Sequence, residues 1–484
     1  MIARLTPRLA PVALALALAG CAVGPDYLRP AAGLPGAYSE AAPTAASAVI
    51  DNRWWTLFAD PTLDDLVDQA LRNNADLRTA VARVEQASAV AREAGAAYFP
   101  EINVEASGSN RKLSTKTATW NSNSPDIQRS RGAALTASYE IDLWGSVRRS
   151  NEAALANLLA SRYSRDAIRL SIAGLVSSNY LALRAADAQL AISEESLKSR
   201  EESLQLAKTR VDAGLVSPLD LYEATGAVAS LQAQLADLRR QRALLEHQLA
   251  LLTANPALKI AAGDLRQLPL PPVPPAGLPA NLIDGRPDVR EAEQRLIAAN
   301  ANIGVAKAGY YPRLTLTGSL GSESKALNDL FGAGADTWAI GLGLLMPLLD
   351  FGRTTARVDQ AKALNEQSLI AWQNTLQVAY KEVRDALVTL RENAAAEAAR
   401  NTLVESTGQA LAIANRRYAA GYSGYLEVLI AQRSNNEALL ELIATRRARL
   451  VAAVDLFKAL GGGWQDQPAD NAGAAPAAAE AGAS

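Results

Sequence analysis

Residues 306–312 read Ala-Lys-Ala-Gly-Tyr-Tyr-Pro, and residues 94–100 read Ala-Gly-Ala-Ala-Tyr-Phe-Pro, an offset of 212 (Pro100 to Pro312). Three further pairs keep the same order. Asp142-Leu143-Trp144-Gly145 is answered by Asp350-Phe351-Gly352, and Arg210-Val211-Asp212-Ala213-Gly214 by Arg417-Tyr418-Ala419-Ala420-Gly421. Ser217-Pro218-Leu219-Asp220 is answered by Gly424-Tyr425-Leu426-Glu427, and here the offset is 207 (Ser217 to Gly424). Landmarks in fixed order with a drift of five residues (212 to 207) mark two copies of one long unit. The copies are placed at 51–267 and 288–464, joined by the Pro-rich stretch 268–287.

Each copy opens with a helical segment that ends at Tyr/Phe-Pro. The residue before proline is pushed to extended geometry, so strand succeeds helix there. The residues beyond the proline alternate. Ile102, Val104 and Ala106 alternate with Asn103, Glu105 and Ser107; Ala133, Leu135, Ala137, Tyr139 and Ile141 alternate with Ala134, Thr136, Ser138, Glu140 and Asp142. In the second copy Leu314, Leu316 and Leu320, then Trp338, Ile340, Leu342 and Leu344, alternate with Thr, Ser, Ala and Gly. A period of two puts one apolar face and one polar or small face on each strand. The spacing predicts strands near 101–108, 132–143, 313–320 and 337–347, joined by polar, Gly-rich loops at 109–131 and 321–337. A tilted strand crosses a bilayer in about 9–11 residues, close to these lengths. On the strands alone, a half-buried hairpin reads as well as a membrane-crossing one.

The remaining length is helical. From Ser146 to Val211 there is no Pro and one Gly, Gly174, which at the α-helical rise is roughly 100 Å if unbroken. Leu183, Leu190, Leu197, Leu204 and Val211 recur every seven residues. The returning helix starts at Ser217-Pro218, a serine cap with proline at the first position. It carries Leu221, Ala224, Val228, Leu231, Leu235, Leu238, Leu245, Leu249 and Leu252, interrupted by Arg242. The second copy offers 354–417, then Leu440, Ile443, Leu450, Val454 and Phe457. Heptads joined by short turns predict antiparallel coiled-coil hairpins over 146–253 and 353–460.

Composition narrows the function. Of 484 residues 49% are apolar, many of them Ala, and only 5% are aromatic, which suits close-packed helices better than an enzyme core. Lys+Arg is 48 and Asp+Glu 50, so no basic excess marks a nucleic-acid binder. One Cys and one His exclude an intrachain disulfide, a zinc finger and a Cys/His nucleophilic pair. No constellation of residues supports an enzyme, and no cofactor or metal is predicted. Asp350-Phe351-Gly352 lacks the other kinase motifs and reads as a strand-to-helix turn. His247 reads as a packing or solvent-facing residue. At the start, Arg4 and Arg8 precede an apolar run to Leu18, a secretory signal over 1–20 too short to span a bilayer. Residues 21–50 read as an extended tether, and 465–484, mostly Ala, Gly and Pro, as a disordered tail.

Four membrane-length strands cannot close a barrel, because about eight is the smallest number that does. An open edge in lipid leaves backbone groups unpaired at several kcal/mol each. Copies of the chain must therefore pool their strands. Two copies give eight strands around a filled interior; three give twelve around an aqueous lumen.

Several motifs carry a family resemblance. Leu18-Ala19-Gly20-Cys21 resembles the lipobox of bacterial lipoproteins, in which Cys21 would take acyl chains, and Ala22 after it resembles outer-membrane sorting. Trp54-Trp55-Thr56-Leu57-Phe58-Ala59-Asp60-Pro61-Thr62-Leu63, Asn74-Ala75-Asp76-Leu77-Arg78, Arg286-Pro287-Asp288-Val289-Arg290-Glu291-Ala292-Glu293 and Arg417-Tyr418 through Ala431-Gln432-Arg433 come in that order along the chain. Together they resemble the outer-membrane efflux ducts of the TolC type, in the lipoprotein group that includes OprM and the NodT family. The resemblance covers nearly the whole mature chain. It implies a mainly α fold with membrane β: a homotrimer with a shared twelve-stranded transmembrane β-barrel on a periplasmic α-barrel of coiled-coil hairpins. The function implied is a passive, gated exit duct for drugs or other small toxic compounds, in the outer membrane and extending into the periplasm. Its partners would be a periplasmic adaptor, an inner-membrane transporter of the resistance-nodulation-division type and outer-membrane lipid, with no nucleic acid.

The same resemblance places a gate at the hairpin ends, with Asp212, Asp220, Glu223, Arg417, Tyr418, Leu426, Glu427, Ile430 and Arg433 as candidates. Relatives often carry Asp before Ala-Gln-Arg; Ile430 stands there in this chain, which favours an apolar constriction by Leu426 and Ile430 over an acidic ring. The Trp54-Trp55 pair is placed in a packing cluster. Two other readings compete: the outer-membrane duct of a type I protein-secretion system, and a lipid-anchored coiled-coil lipoprotein with no pore.

Overall fold

The structure, a computed structural model, describes residues 22–31, 33–35, 38, 52–114, 116, 117, 125, 127–272 and 285–464. The signal at 1–20, Cys21, the stretch 39–51, the linker residues 273–284 and the tail 465–484 lie outside them.

After a short 3-10 turn at Trp54–Phe58 the elements run α1 (Pro61–Asn73), α2 (Ala75–Ala96), β1 (Glu101–Lys112), β2 (Ile127–Ile141), α3 (Ser146–Asp212) and α4 (Pro218–Leu252). The second copy gives α5 (Pro287–Ala308), β3 (Arg313–Ser324), β4 (Asp336–Leu345), α6 (Arg353–Ala419) and α7 (Tyr425–Ala459). Corresponding helices have equal lengths: α2 and α5 have 22 residues, α3 and α6 have 67, α4 and α7 have 35. The offset is 212 from α2 to α5 (75 to 287) and from β1 to β3 (101 to 313), then 207 from α3 to α6 (146 to 353). Asp142 and Asp350 differ by 208, so four of the five residues of drift fall inside the strand pair and the fifth in the turn after it.

Both strand-to-helix turns use one device. The Asp142 carboxylate accepts from the backbone N–H of Val147 (3.0 Å) and Arg148 (2.9 Å); that of Asp350 accepts from Gly352 (3.0 Å) and Thr354 (2.9 Å). Each aspartate supplies acceptors to the otherwise unpaired donors at the start of a 67-residue helix. Both 67-residue helices also end alike. Gly214 and Gly421 take φ of 70° and 78°, and the N–H groups of Leu215 and Tyr422 close back onto the carbonyls of Arg210 and Arg417 at 2.9 Å each.

The chain falls into two compact units. One comprises the described residues of 1–31, 82–162 and 291–373; the other those of 32–81, 163–290 and 374–484. Each unit takes the matching part of both sequence copies. The first holds a single antiparallel sheet in the order β1-β2-β3-β4. Ala153, Ala156, Ala298 and Ala301 bring α3 and α5 together beside it, and Ala91, Ala154 and Leu158 bring α2 onto α3.

In the second unit Trp54 is fully buried, stacked on Phe457 (5.6 Å between rings) and edge-on to Trp55. Asp60 then starts α1, accepting from Thr62 N–H at 2.8 Å and from the buried Tyr180 hydroxyl. Arg286 is buried and donates to the Ala459 carbonyl at the end of α7 (2.9 Å) and to Glu382 (2.8 Å).

Two expectations need correction. The strands extend to Lys112 and Ser324 and begin at Ile127, well inside the stretches read as loops. A ladder of backbone hydrogen bonds continues where side chains turn polar on both faces, so alternation marks only part of a strand. The seven-residue stripe of α3 is also mostly half-buried. Of Leu183, Leu190, Leu197, Leu204 and Val211 only Leu183 is buried, while Ala188, Ser193, Arg200 and Ala207 beside them are. Small side chains carry the close helix contacts.

Candidate channel wall, anchor and gate

The register of the sheet decides which side of each strand is which. Directly opposed residues share a face. Ile102 opposes Ala137, Val104 opposes Leu135, and Leu135 in turn opposes Leu320, which opposes Trp338. Tyr139, Leu316 and Leu342 line up likewise, as do Ile141, Leu314 and Leu344. The alternating residues of all four strands thus merge into one continuous apolar face. It is open to the surroundings: Val104 is 80% exposed, Ile340 78% and Trp338 74%. The other face carries Glu101, Asn103, Glu105, Thr136, Ser138, Glu140, Thr315, Thr317 and Ser319. There Arg313 pairs with Glu140 at 2.8 Å and Ser130 Oγ donates to Glu323 at 2.6 Å. A half-buried hairpin would hide its apolar face against a core; this sheet presents it. Strands β1 and β4 are the two edges.

Residues 22–31, at the start of the stretch read as an extended tether, lie bound along the helices. Val23 N–H donates to the Trp144 carbonyl (2.9 Å), and Asn300 Nδ2 to the Pro25 carbonyl (2.9 Å). Asp26 pairs with Arg149 (2.5 Å), and Arg29 with the buried Glu293 (3.1 Å). A Cβ on Gly24 would lie 2.6 Å from Gly304 Cα, and one on Gly304 2.7 Å from the Val23 carbonyl. Two glycines facing each other let one backbone lie directly on another. The same is true at Gly145, where an added Cβ would come within 3.0 Å of the Ala22 side chain. The segment is seated on α3 and α5 next to the end of β2. The signal in the sequence was Gly304 inside an otherwise regular helix.

The hairpin ends meet in the second unit. Ala207 of α3, Ala224 of α4, Ala414 and Tyr418 of α6, and Tyr425 and Val428 of α7 form one buried cluster. Of the nine gate candidates, Tyr418 is therefore a core residue, packed on Tyr425 at 5.7 Å. The Arg210 guanidinium lies 4.5 Å over its ring and donates to the Tyr418 (3.1 Å) and Ala419 (3.2 Å) carbonyls. Burial raises the pKa of Tyr418 and of Tyr425; the charge of Asp220 reaches both, and that of Glu223 reaches Tyr425. Arg417 pairs with Glu427 across the α6–α7 turn at 3.6 Å, both about half exposed. Arg433 pairs with Glu437 inside α7 at 2.9 Å. Asp212, Leu426 and Ile430 are exposed. Sequence reasoning missed Arg200, buried and donating to the Ala227 carbonyl at 2.9 Å; burial pushes its pKa down.

Among the described residues no cluster of His, Cys, Asp and Glu could hold a metal ion, and no helix is long and apolar enough to cross a membrane.

The profile of the family described as "Outer membrane efflux protein" matches residues 66–255 and 278–462, one span for each copy. The chain belongs to the outer membrane efflux protein family. It is 36% identical to the outer membrane protein OprJ of Pseudomonas aeruginosa over 460 residues, 94% of this chain and 95% of that one. It is 34% identical to the cation efflux system protein CusC of Escherichia coli, over 95% of this chain and 99% of that one. Among solved structures it is similar to the open state of the Neisseria gonorrhoeae MtrE outer membrane channel. The TM-score is 0.82 at 30% identity, over 92% of this chain and 99% of that one. This efflux protein is thus an outer-membrane channel with a helical periplasmic part, the exit duct of an efflux system, and not an enzyme.

Proposed function

We propose that three copies close one twelve-stranded barrel around water and that their hairpins continue it as a gated periplasmic tunnel. The observation that carries this reading is the sheet: an exposed apolar face, a polar opposite face and two open edges, β1 and β4. Only a closed ring satisfies both edges in lipid, and twelve strands leave a wet lumen. The duct completes a tripartite pump with a periplasmic adaptor and an inner-membrane transporter of the resistance-nodulation-division type. Its cargo is small toxic compounds; relatives are named for cations, toluene and antibiotics.

The signal over 1–20 is removed, and Cys21 is acylated. The seated segment that begins at Ala22 supports this, because it holds the chain beside the end of β2. The gate lies at the hairpin ends. Arg417 and Glu427 fasten the second hairpin's turn, and Leu426 and Ile430, exposed one helical turn apart, supply an apolar constriction. Opening loosens that turn.

Reconstitution of the full chain tests the whole. A mass of three chains, with single-channel currents that Arg417→Ala enlarges, is expected. A non-conducting monomer in bilayers overturns the reading.

A further inference from the structure

The lipid-facing side of the sheet does not stop where its apolar residues stop. Moving away from the helices, opposed pairs on that face run Ile102–Ala137, Val104–Leu135 and Ala106–Ala133. They continue as Gly108–Arg131, Asn110–Arg129 and Lys112–Ile127. Three cations, Lys112, Arg129 and Arg131, therefore stand directly past the apolar band and on its side of the wall. In the second hairpin Ser324 stands opposite Arg131, and Ser322, one pair nearer the helices, stands opposite the single anion Asp336. Along β3 the apolar stretch from Leu314 to Leu320 is about 20 Å at the strand rise, close to the roughly 25 Å band of outer-membrane barrels. The cations thus reach the level of headgroups.

Arg131 is held in place for this. It lies across Gly108, where an added Cβ would meet its Cδ at 3.5 Å, and it donates to the Ser109 carbonyl and to Asn110 Oδ1, both at 3.0 Å. Lys112 and Arg129 are exposed. Among the described residues none of the three forms an ion pair. Arg111 points to the opposite face, the one proposed to line the lumen.

The hairpin ends lie opposite the periplasmic helices, on the outside of the cell, where the leaflet consists of phosphorylated glycolipid. Guanidinium and ammonium groups beside an apolar band match its composition: acyl chains below, phosphates above. We propose that Lys112, Arg129 and Arg131 dock the phosphate groups of outer-leaflet glycolipid, so that the first hairpin grips the lipid and the second does not. The proposal rests on the proposed barrel in taking the apolar face as the lipid face and the hairpin ends as its outer end.

Native mass spectrometry of the delipidated, full-length channel tests it, with added diphosphorylated acyl-disaccharide glycolipid or its dephosphorylated form. The wild type should bind the phosphorylated lipid more tightly than the dephosphorylated one. Each cation removed should weaken binding about fivefold, and K112Q/R129Q/R131Q together roughly a hundredfold; R111Q should change nothing. Equal retention by the triple variant, equal retention of the dephosphorylated lipid, or displacement by millimolar inorganic phosphate would each overturn the proposal. The same spectra report the oligomer mass, which separates failure of docking from failure of the trimer. Should the triple variant not assemble, the exposed single changes K112Q and R129Q carry the test.

Discussion

The two helical hairpins are copies, yet they are fastened differently. At the offset of 207, Arg242 of α4 corresponds to Arg449 of α7, and both reach a buried carboxylate. The acid itself has moved. In the first hairpin it is Asp187, 5% exposed, accepting from Arg242 (2.7 Å), Arg184 (3.3 Å) and the Gly263 N–H (3.1 Å). In the second it is Glu397, near one turn further along, accepting from Arg446 and Arg449 at 2.8 Å each. The ends differ more. Arg210 crosses to the other hairpin's carbonyls and ring, whereas its copy Arg417 turns to Glu427 in its own hairpin. Ser217 caps α4, accepting from Leu219 N–H at 3.2 Å; Gly424 has no side chain with which to cap α7. Duplication supplied one frame, and divergence left a tight hairpin and a looser one. The proposed gate falls on the looser one.

Four measurements test that contrast. The largest effect belongs to Asp187→Ala, which strands two arginines, one of them buried. About 3–5 kcal/mol of stability should go, seen as a lower unfolding temperature of the purified channel. Glu397→Ala should take about 1–3 kcal/mol, because Arg446 and Arg449 can turn to water. Equal losses would erase the distinction.

Acid should expose the second clasp next. Burial by itself would raise the Glu397 pKa, but the hydrogen bonds and charges of Arg449 and Arg446 more than reverse it and hold it below the ordinary glutamate value. Its stabilisation is complete above about pH 4.3, the unfolded-state value, and disappears as pH falls through the lowered one. The difference between wild type and Glu397→Gln should therefore be constant near neutrality and shrink only below that point.

At the turns, Arg210→Ala should lose about 2 kcal/mol, as charged hydrogen bonds to backbone do. Arg417→Ala should lose under about 1 kcal/mol, since its ion pair is exposed, while single-channel current rises. Arg433→Ala should leak less than Arg417→Ala, because its partner lies in its own helix. At the caps, Ser217→Ala should lower stability by about 1 kcal/mol, and Gly424→Ser, the smallest effect, should raise it by a few tenths. Gly424→Ser should also quieten the channel; an unchanged open probability would detach the cap from the gate.

The duplication, the helix lengths and the strand faces were legible because each is a pattern along the chain. What escaped was whatever depends on a partner distant in sequence. Arg242 reads as an interruption of a heptad until Asp187, a full helix away, is set opposite it. Tyr418 reads as a gate residue by position, although the crowding of four helix ends buries it. Gly24 and Gly304 say little singly; their meaning is the contact between them. The apolar face was legible, but the cations beyond it were not, since alternation ends where lipid ends while the ladder continues.

The copies keep the lengths of three paired helices to the residue, and their length changes fall outside those helices. One residue added to α3 or α6 would swing everything after it by about 100° around the axis, misaligning each later seam residue at once. A hairpin tip has no such memory: its ends stay paired whatever hangs between them. Foreign peptides grafted between Ser324 and Asp336 should therefore reach the cell surface on a working channel, whereas a lone alanine inserted after Ala379 should not assemble.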